Sequence, residues 1–217
     1  MKVLITGGLG FVGSNLAKYL GDRDNEVVVY DNSSRRGSEY NHKRLVNNKN
    51  IRLVRWELDD LPEFISNERI NSSPFRIIYH LAAQVAVTAS YENPRSDFRI
   101  NALGSFNVAN STDTPIIYAS TNKVYGDNVN KVPIENFATR YDFFGEHKEK
   151  GIPETFNIDA KKHTPYGISK LVGDLWVREK GGVANRFSCM YGEWQFGNVD
   201  QGWVSNFIIN KIKDKPS

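Results

Sequence analysis

The stretch Thr6-Gly7-Gly8-Leu9-Gly10-Phe11-Val12-Gly13 directly follows the apolar run Val3-Leu4-Ile5. Gly8, Gly10 and Gly13 have the G-x-G-x-x-G spacing, which allows a tight turn, close approach of phosphates to the backbone, and close packing of a helix on a strand. The apolar run predicts a strand and the residues after the turn predict a helix, whose N-terminal N–H groups favour an anion. This stretch therefore predicts a dinucleotide-binding fold with NAD or NADP as the coenzyme.

The second predicted strand bears on the choice between the two coenzymes. It runs from Glu26 to Tyr30 and is followed by Asp31. A carboxylate at this position can accept hydrogen bonds from the adenosine ribose hydroxyls, and it repels a 2′-phosphate. Asp31 therefore favours NAD. Arg35 and Arg36 follow closely and could serve a phosphate, so NADP stays open on these residues alone.

Short apolar runs alternate with helical patterns along the rest of the chain. Three further runs are predicted as strands: residues 51–54, 76–79 and 115–118. The alternation predicts βαβ units and a Rossmann-type, doubly wound parallel sheet in the α/β class. Ligands bind at the carboxyl ends of such strands, where Glu57-Leu58, residues 80–84 and residues 119–121 stand. Residues 133–162 are polar and poorly periodic, which predicts a long excursion outside the core.

Composition and charge narrow the class of partner and compartment. The net charge of +3 over 217 residues is small and mixed in sign, which argues against a nucleic-acid partner. Cys189 is the only cysteine, which excludes an internal disulfide framework and agrees with a reducing cytoplasm. The chain begins with a strand-like run and has neither a signal-peptide pattern nor a long apolar span. We expect a cytoplasmic protein with no membrane contact and no metal site.

The stretch Thr164-Pro165-Tyr166-Gly167-Ile168-Ser169-Lys170 predicts the start of a second important helix. Its first two residues are a good N-cap and a good first helical residue, and apolar residues recur at helical spacing from Ile168 to Trp176. Tyr166 and Lys170 then share one helix face, where the ammonium favours the ionised phenol. An unperturbed tyrosine titrates near ~10 and is a poor base at neutral pH. The pair is thus a candidate acid/base for moving a hydroxyl proton during hydride transfer.

The meaning of this pair depends on its surroundings. Taken alone, a tyrosine and a lysine at this spacing are common neighbours on a helix surface. The dinucleotide motif favours the catalytic interpretation. Ser120-Thr121, at the end of a predicted strand, offers a hydroxyl that could hold the reacting oxygen beside Tyr166, although strand-end Ser and Thr residues are mostly caps.

Several blocks together resemble one known family. They are the glycine motif, Asp31, His80-Leu81-Ala82-Ala83, the run Ser120 to Gly126, and Tyr166-x-x-x-Lys170. Together these blocks are similar to the extended short-chain dehydrogenase/reductase family of nucleotide-sugar epimerases and dehydratases. Longer blocks, including residues 80–88 and 190–204, resemble the members that epimerise a CDP-linked sugar at C2. The resemblance spans nearly the whole chain.

The resemblance implies a role for each matching residue. Tyr166 would be the catalytic base and then the acid, Lys170 would bind the nicotinamide ribose and lower the pKa of the tyrosine, and Thr121 would bind the sugar oxygen. Besides Tyr166 and Lys170, the implied coenzyme contacts are Gly7, Gly10, Phe11, Val12, Asp31, Asn32, Ser33, Arg35, Glu57, Leu58, Leu81, Ala82, Ala83, Gln84 and Asn101. The implied substrate contacts are Gln84, Thr88, Thr121, Asn122 and Tyr191.

The implied activity is NAD-dependent epimerisation at C2 of a CDP-linked 3,6-dideoxyhexose through a transient 2-keto sugar, as in lipopolysaccharide O-antigen synthesis. A 4,6-dehydratase of the family has an Asp-Glu pair after the catalytic Thr, and Asn122 and Lys123 stand there instead. That departure argues against the dehydratase reaction. A 4-epimerase for UDP-sugars, another nucleotide-sugar reductase and a non-catalytic NAD-binding scaffold stay open.

The resemblance also suggests a domain division. Residues 1–180 would form the NAD-binding Rossmann domain. Residues 181–217 would supply the last core strand and the beginning of a substrate-binding lobe, most of which the chain does not contain. Gly181 to Asn185 makes a poor strand by composition where the family has an apolar one. The expected partners are a nucleotide-sugar substrate and further copies of the same chain in a homo-oligomer.

Overall fold

The core of the chain is a six-stranded parallel sheet. The computed structural model describes residues 1–71, 73–159 and 161–215. The strands of the described residues are β1 (Lys2–Thr6), β2 (Glu26–Tyr30), β3 (Ile51–Val54), β4 (Ile77–His80), β5 (Ile116–Thr121), β6 (Ile134–Asn136), β7 (Tyr141–Phe143) and β8 (Val183–Phe187). The parallel sheet has the order β3-β2-β1-β4-β5-β8. The predicted Rossmann-type sheet is confirmed, and its order reverses between β1 and β4.

Helices cover both faces of this sheet. The helices of the described residues are α1 (Phe11–Gly21), α2 (Ser38–Leu45), α3 (Leu61–Asn71), α4 (Val87–Glu92), α5 (Pro94–Phe98), α6 (Gly104–Asn110), α7 (Pro165–Glu179) and α8 (Trp203–Ile212). Of these, α1 and α2 pack on one face of the sheet and α3, α6 and α7 on the other. A π-helical turn over Arg99–Leu103 joins α5 to α6 in one continuous run. Such turns are rare in proteins, and those that occur are frequently found at functional sites.

Alternating residues of the central strands build two separate hydrophobic clusters. Val3 and Ile5 of β1 face the cluster under α1 and α2, whereas Leu4 faces the cluster under α3, α6 and α7. Successive side chains of a strand point to opposite faces, so a strand buried on both sides must be apolar throughout. This is why the strands appear in the sequence as continuous apolar runs.

The described residues of the excursion predicted over 133–162 lie outside the parallel sheet, as expected, and residue 160 lies outside the described residues. The excursion contains β6 and β7, which form a separate antiparallel pair. Its backbone carbonyls accept hydrogen bonds from residues near the carboxyl end of the sheet: Asn128 bonds the carbonyls of Asn157 and Asp159, and Arg186 bonds that of Glu154. The excursion is thereby tied down beside β8.

Two elements differ from their sequence pattern. Gly181 to Asn185 looked poor as a strand, yet β8 pairs with β5 over its whole length. An edge strand needs backbone partners on one side only, so composition constrains it weakly. The apolar stripe of α7 also faces outward in part: Ile168 and Leu175 are each 47% exposed.

The predicted domain division at residue 180 stays a prediction, and residues 216–217 of its second part lie outside the described residues.

Within the described parts of the chain, no helix combines the length and apolar character needed to cross a membrane.

Candidate active site

The glycine turn between β1 and α1 is shaped for close approach of a ligand. Gly7 has φ of 67°, in the left-handed region, and its N–H donates to the Tyr30 carbonyl at 2.8 Å. A Cβ on Gly13 would lie 2.3 Å from the Gly7 oxygen, and one on Gly7 would lie 2.7 Å from the Ala82 nitrogen. Neither position tolerates a side chain. No side chain caps α1, and its first turn carries no acidic residue, so a pyrophosphate fits at this helix N-terminus.

The carboxylate of Asp31 is fixed beside this turn. Its Oδ2 accepts from the Leu9 N–H at 3.0 Å and its Oδ1 accepts from the Ser33 N–H at 2.7 Å. Burial raises the pKa of Asp31, and these two hydrogen bonds act in the opposite direction. The carboxylate therefore cannot swing away from the end of β2. Arg35, the competing group for a phosphate, has an exposed side chain.

A cleft of about 520 Å³ lies beyond the carboxyl ends of β2 and β3, at the same edge of the sheet as Asp31. Its lining residues are Asn32, Arg55, Trp56, Glu57, Asp60 and Glu63. The Asn32 amide donates to Glu57 Oε2 at 3.0 Å, and the Tyr30 hydroxyl donates to the Glu57 carbonyl at 2.7 Å. Leu58 points the other way, against Gly104 at the start of α6. Asn32, which directly follows Asp31, and Glu57, which follows the neighbouring strand β3, thus lie together at the cleft.

The structure brings Thr121 and Tyr166 together. Thr121 ends β5 and is 6% exposed, and Tyr166 lies in the first turn of α7, which Thr164 caps by accepting from the Gly167 N–H at 2.9 Å. The Thr121 side chain lies close enough to the Tyr166 phenol to favour its ionised form. Burial raises the pKa of Tyr166, the Thr121 side chain opposes that rise, and the charge of Asp97 adds to it. A hydroxyl group of a ligand at this point would meet both side chains.

Lys170 lies one helical turn after Tyr166 and is only 2% exposed. Its ammonium nitrogen is 4.2 Å from the centroid of the Tyr118 ring, in a cation–π contact. Burial lowers the pKa of Lys170 to about 7, against the pull of the carboxylates of Asp97 and Asp174, which favour the charged form. The side chain is therefore held inside the protein close to its titration point.

A buried polar network next to this lysine was not predicted from the sequence. Asp97 Oδ1 accepts from the Gln84 amide at 2.8 Å and from the Asn101 amide at 3.1 Å, and its Oδ2 accepts from the Ser169 hydroxyl. Asn101 was predicted, and it also exchanges two bonds with the backbone of Gln84. The i, i+4 spacing of Asp97 and Asn101 after Asn93-Pro94 was the available signal, because it places both on one helix face.

His80 is a second buried group that sequence reasoning did not assign. Its Nδ1 is 2.7 Å from the Thr6 hydroxyl and its Nε2 is 3.1 Å from Ser105 Oγ. Because Ser105 donates to the Asn101 carbonyl, we assign the ring proton to Nε2. Burial lowers the pKa of His80 to about 3, with Lys170 adding to the effect. His80 is therefore a neutral link that joins β1, β4 and α6.

Ser120, the neighbour of Thr121, is turned into the fold and away from the phenol. Its hydroxyl donates to Asp174 Oδ2 at 2.7 Å, and Arg186 of β8 binds both oxygens of the same carboxylate, at 3.0 and 3.1 Å. Burial alone would raise the pKa of Asp174, but the bonds from Arg186 and Ser120 outweigh it and hold that pKa below its ordinary value. The contact fixes α7 against β5 and β8.

The other predicted substrate residues are not gathered around Tyr166 by direct contacts. The side-chain amide of Gln84 donates to Asp97 and to the Ala86 carbonyl, each at 2.8 Å. Thr88 donates to Asp200 at 3.0 Å, Asn122 meets the Ser188 hydroxyl at 3.5 Å, and Tyr191 is 71% exposed. Of this set, the structure brings only Thr121 to the phenol.

Of the remaining predicted coenzyme residues, Leu81, Ala82 and Ala83 follow β4 beside the glycine turn, and Phe11 and Val12 open α1.

Comparison with known proteins shows similarity over almost the whole chain. The family profile described as GDP-mannose 4,6 dehydratase matches residues 4–191. A CDP-paratose 2-epimerase from Salmonella typhi is 36% identical over 229 aligned residues, which cover 99% of this chain and 65% of that protein. A putative UDP-glucose 4-epimerase from Methanocaldococcus jannaschii is 28% identical, covering 98% of this chain and 64% of that protein.

Solved structures agree on the fold. The UDP-glucose 4-epimerase of Thermus thermophilus, in complex with NAD, superposes with a TM-score of 0.76 at 27% identity. The match covers 100% of this chain and 64% of that structure. The chain therefore spans about two thirds, or slightly less, of the length of the proteins it matches.

Proposed function

This chain belongs to the extended short-chain dehydrogenase/reductase family of nucleotide-sugar epimerases and dehydratases, and from that membership we propose that it binds NAD and epimerises a nucleotide-linked sugar. One observation carries the proposal. The Thr121 side chain lies close enough to the phenol of Tyr166 to lower its pKa, one helical turn from the buried Lys170, in a fold whose glycine turn fits a pyrophosphate. This is the arrangement that removal of a proton from a sugar hydroxyl requires.

We propose that NAD lies across the switch point between β1 and β4. Asp31 would accept from the adenosine ribose hydroxyls, and Asn32 and Glu57 would border the adenine cleft. The pyrophosphate contacts proposed are Gly7, Gly10, Phe11 and Val12, and the proposed nicotinamide-side contacts are Leu81, Ala82, Ala83, Gln84 and Asn101. The coenzyme, when bound, supplies the acceptor and donor for one hydride.

The proposed work of the protein is positioning and proton transfer. Thr121 holds the sugar hydroxyl oxygen against the Tyr166 phenol. Tyr166 Oη takes the hydroxyl proton as the carbon is oxidised and returns it when the carbon is reduced from the other face. The ammonium of Lys170 favours the phenolate that this requires. Net oxidation state is unchanged at the end of the cycle.

As the substrate we propose a CDP-linked 3,6-dideoxyhexose that reacts at C2, converting CDP-paratose to CDP-tyvelose. The support is the 36% identity with a CDP-paratose 2-epimerase, together with Asn122 and Lys123, which lack the acids of a dehydratase. Such a reaction belongs to lipopolysaccharide O-antigen synthesis. The second candidate is a UDP-sugar 4-epimerase, favoured by the 28% and 27% identities with two proteins of that name.

A substrate panel tests this proposal. The chain is incubated with NAD⁺ and, in separate reactions, CDP-paratose, UDP-glucose and UDP-glucuronate, with the Tyr166→Phe variant as the control. We expect conversion of CDP-paratose by the unchanged chain alone. Conversion of a UDP-sugar instead would support the second candidate, and no conversion of any of the three would contradict the proposed activity.

We also propose that the chain associates with a second copy of itself through α7 and the helical run from α5 to α6. Apolar side chains stand exposed on both: Phe98 and Leu103 at 52% and 44%, and Leu175 and Trp176 at 47% and 37%. Phe106 and Trp176 join the two helices, with ring centroids 4.9 Å apart. A contiguous apolar face on two adjacent helices is typical of an interface.

Sedimentation of the purified chain tests this association. We expect a dimer for the unchanged chain and a monomer for Leu175→Arg, because the charge would enter the apolar face. The matched control is Arg178→Ala on the same helix, which should stay dimeric. A monomeric unchanged chain would contradict the interface.

A further inference from the structure

Asp97 joins three separate elements of the site through one carboxylate. It is 1% exposed and lies on α5. Its hydrogen-bond donors come from the loop after β4 (Gln84), from the π-helical turn (Asn101) and from α7 (Ser169). The Ser169 hydroxyl is also 3.0 Å from the carbonyl oxygen of Tyr166. Because the hydroxyl has one hydrogen, it donates either to the carboxylate or to the Tyr166 carbonyl, and in both cases Ser169 lies between Asp97 and the backbone of the proposed catalytic base.

The charge of Asp97 is compensated differently from that of the other carboxylate nearby. Asp174 is paired with Arg186, whose Nε lies 3.0 Å from Oδ2. The three donors to Asp97 among the described residues are all uncharged. A buried carboxylate without a paired cation is costly unless a cation lies close enough to feel its field. Lys170 is the buried cation of this region.

The groups that surround Lys170 come from four elements. Asp97 of α5 and Asp174 of α7 favour its charged form, Tyr166 shares its helix, and Tyr118 of β5 contributes the ring beneath the ammonium. His80 of β4 is neutral and stacks on Tyr118, with ring centroids 5.5 Å apart. Because Arg186 already neutralises Asp174, Asp97 supplies the uncompensated negative charge.

We propose that Asp97 is the counter-ion of the Lys170 ammonium and the positioning residue for the Tyr166–Lys170 pair. Its hydrogen bonds hold α7 in register with the loop after β4, and its charge favours the protonated form of Lys170 inside the protein. The expected effect on turnover rests on the proposed function. The effect on the charge of Lys170 does not, so the two can be tested separately.

Asp97→Asn is a suitable variant because the network can keep its hydrogen bonds without the charge. The new amide nitrogen can replace Oδ2 and donate to Ser169, whose own hydrogen can then turn to the Tyr166 carbonyl at 3.0 Å. The amide oxygen can still accept from Gln84 and Asn101. Asp97→Ser is the second variant, in which water can fill the space of the carboxylate, in case the amide is not tolerated.

The experiment is an NMR titration of the coenzyme-free chain carrying lysine labelled with ¹³C at Cε, with the Lys170 signal assigned by its loss in Lys170→Met. We expect the titration midpoint of Lys170 to fall by about one pH unit or more in Asp97→Asn and in Asp97→Ser, because an attractive charge has been removed. The control, Asp113→Asn in an exposed loop, should leave the midpoint unchanged. An unchanged midpoint in the folded Asp97 variants would overturn the proposal.

The second measurement is the dependence of kcat on pH for the same variants with NAD⁺ and the active sugar nucleotide. We expect the alkaline limb for Asp97→Asn to move to lower pH, together with the midpoint of Lys170. A purely structural role would lower kcat at every pH without moving the limb, and that result would count against the charge assignment. Absence of turnover in the unchanged chain would refute the proposed function, while the NMR result would still decide the role of Asp97.

Discussion

The proposed proton transfer at this site depends on the phenol of Tyr166. Replacing it by phenylalanine removes the proton acceptor and leaves the ring in place on α7. We expect Tyr166→Phe to lower kcat by about 10³-fold, within the usual range for loss of a general acid/base. NAD binding, measured by calorimetry, should change little. The control is Tyr141→Phe, at a tyrosine that is 70% exposed on β7, and near-normal turnover by Tyr166→Phe would mean that another group is the base.

We propose that the fixed carboxylate of Asp31 sets the preference for NAD over NADP. Both of its oxygens already accept from backbone N–H groups, so it cannot turn away from a 2′-phosphate. We expect NAD⁺ to bind at least 10-fold more tightly than NADP⁺ in parallel titrations, and Asp31→Asn to narrow that gap. Equal affinities for the unchanged chain would contradict the role given to Asp31 and would indicate that Arg35 binds the 2′-phosphate.

Lys170 should also leave a signature in the pH dependence of stability. Its pKa is lowered from 10.5 to about 7 in the folded chain, so between these values the unfolded chain binds more protons than the folded one. The free energy of unfolding must then rise with pH across that window, and the destabilisation by the buried charge is greatest below pH 7. Urea unfolding of the unchanged chain and of Lys170→Met measures this. Their difference should shrink as the pH rises from about 7 to 10, whereas a constant difference would show that the pKa is not shifted.

At the scale of the element, α7 packs through small and polar residues and exposes part of its apolar stripe. The buried side consists of Gly167, Ser169, Lys170, Gly173, Asp174 and Val177. Gly173 allows the approach to β5, because a Cβ there would lie 2.5 Å from the Tyr118 hydroxyl oxygen and 2.8 Å from Ser105 Oγ. The usual rule that the apolar face of a helix covers the core is therefore not followed here.

Gly173→Ala tests this orientation by the sign of its effect. On a solvent-facing helix surface, alanine would stabilise by about 1 kcal/mol through its better helix propensity. Against Tyr118 and Ser105 it should instead destabilise the chain by about 1–3 kcal/mol through overpacking. Chemical unfolding gives the value directly. A stabilised variant would mean that α7 is rotated relative to the arrangement described here.

The difference between the predictable and the unpredictable elements has a physical cause. The strands, α1 and the cap of α7 follow from local signals: apolar runs, glycine spacing, and the Thr164-Pro165 start. The orientation of α7 depends instead on which partners face each side, and a polar network can replace apolar contacts on a buried face. His80, Arg186 and the contact of Asp97 with Ser169 escaped prediction for the same reason, since the partners lie 74, 12 and 72 residues away in the chain.

At the scale of the whole molecule, the sheet order brings distant sequence blocks to one edge. The glycine turn, the loop after β4, Thr121 and the start of α7 all stand at the carboxyl ends of parallel strands or next to them. Sequence reasoning predicted this edge as the site because the rule for ligands in doubly wound sheets needs only strand directions. The contacts for the nucleotide half of a substrate could not be derived in the same way, since Thr88, Asn122 and Tyr191 meet other surface groups or solvent.

The central claim is that one sugar carbon is oxidised and then reduced without exchange of its hydrogen with water. The most direct test is turnover of the active sugar nucleotide with NAD⁺ in D₂O, followed by mass spectrometry of the epimerised product. We predict no deuterium on any sugar carbon, because a hydride carried by the coenzyme does not exchange with water and only the proton on Tyr166 does. Deuterium at the epimerised carbon would contradict the account, since it would require a step in which that carbon is deprotonated by a base in contact with solvent.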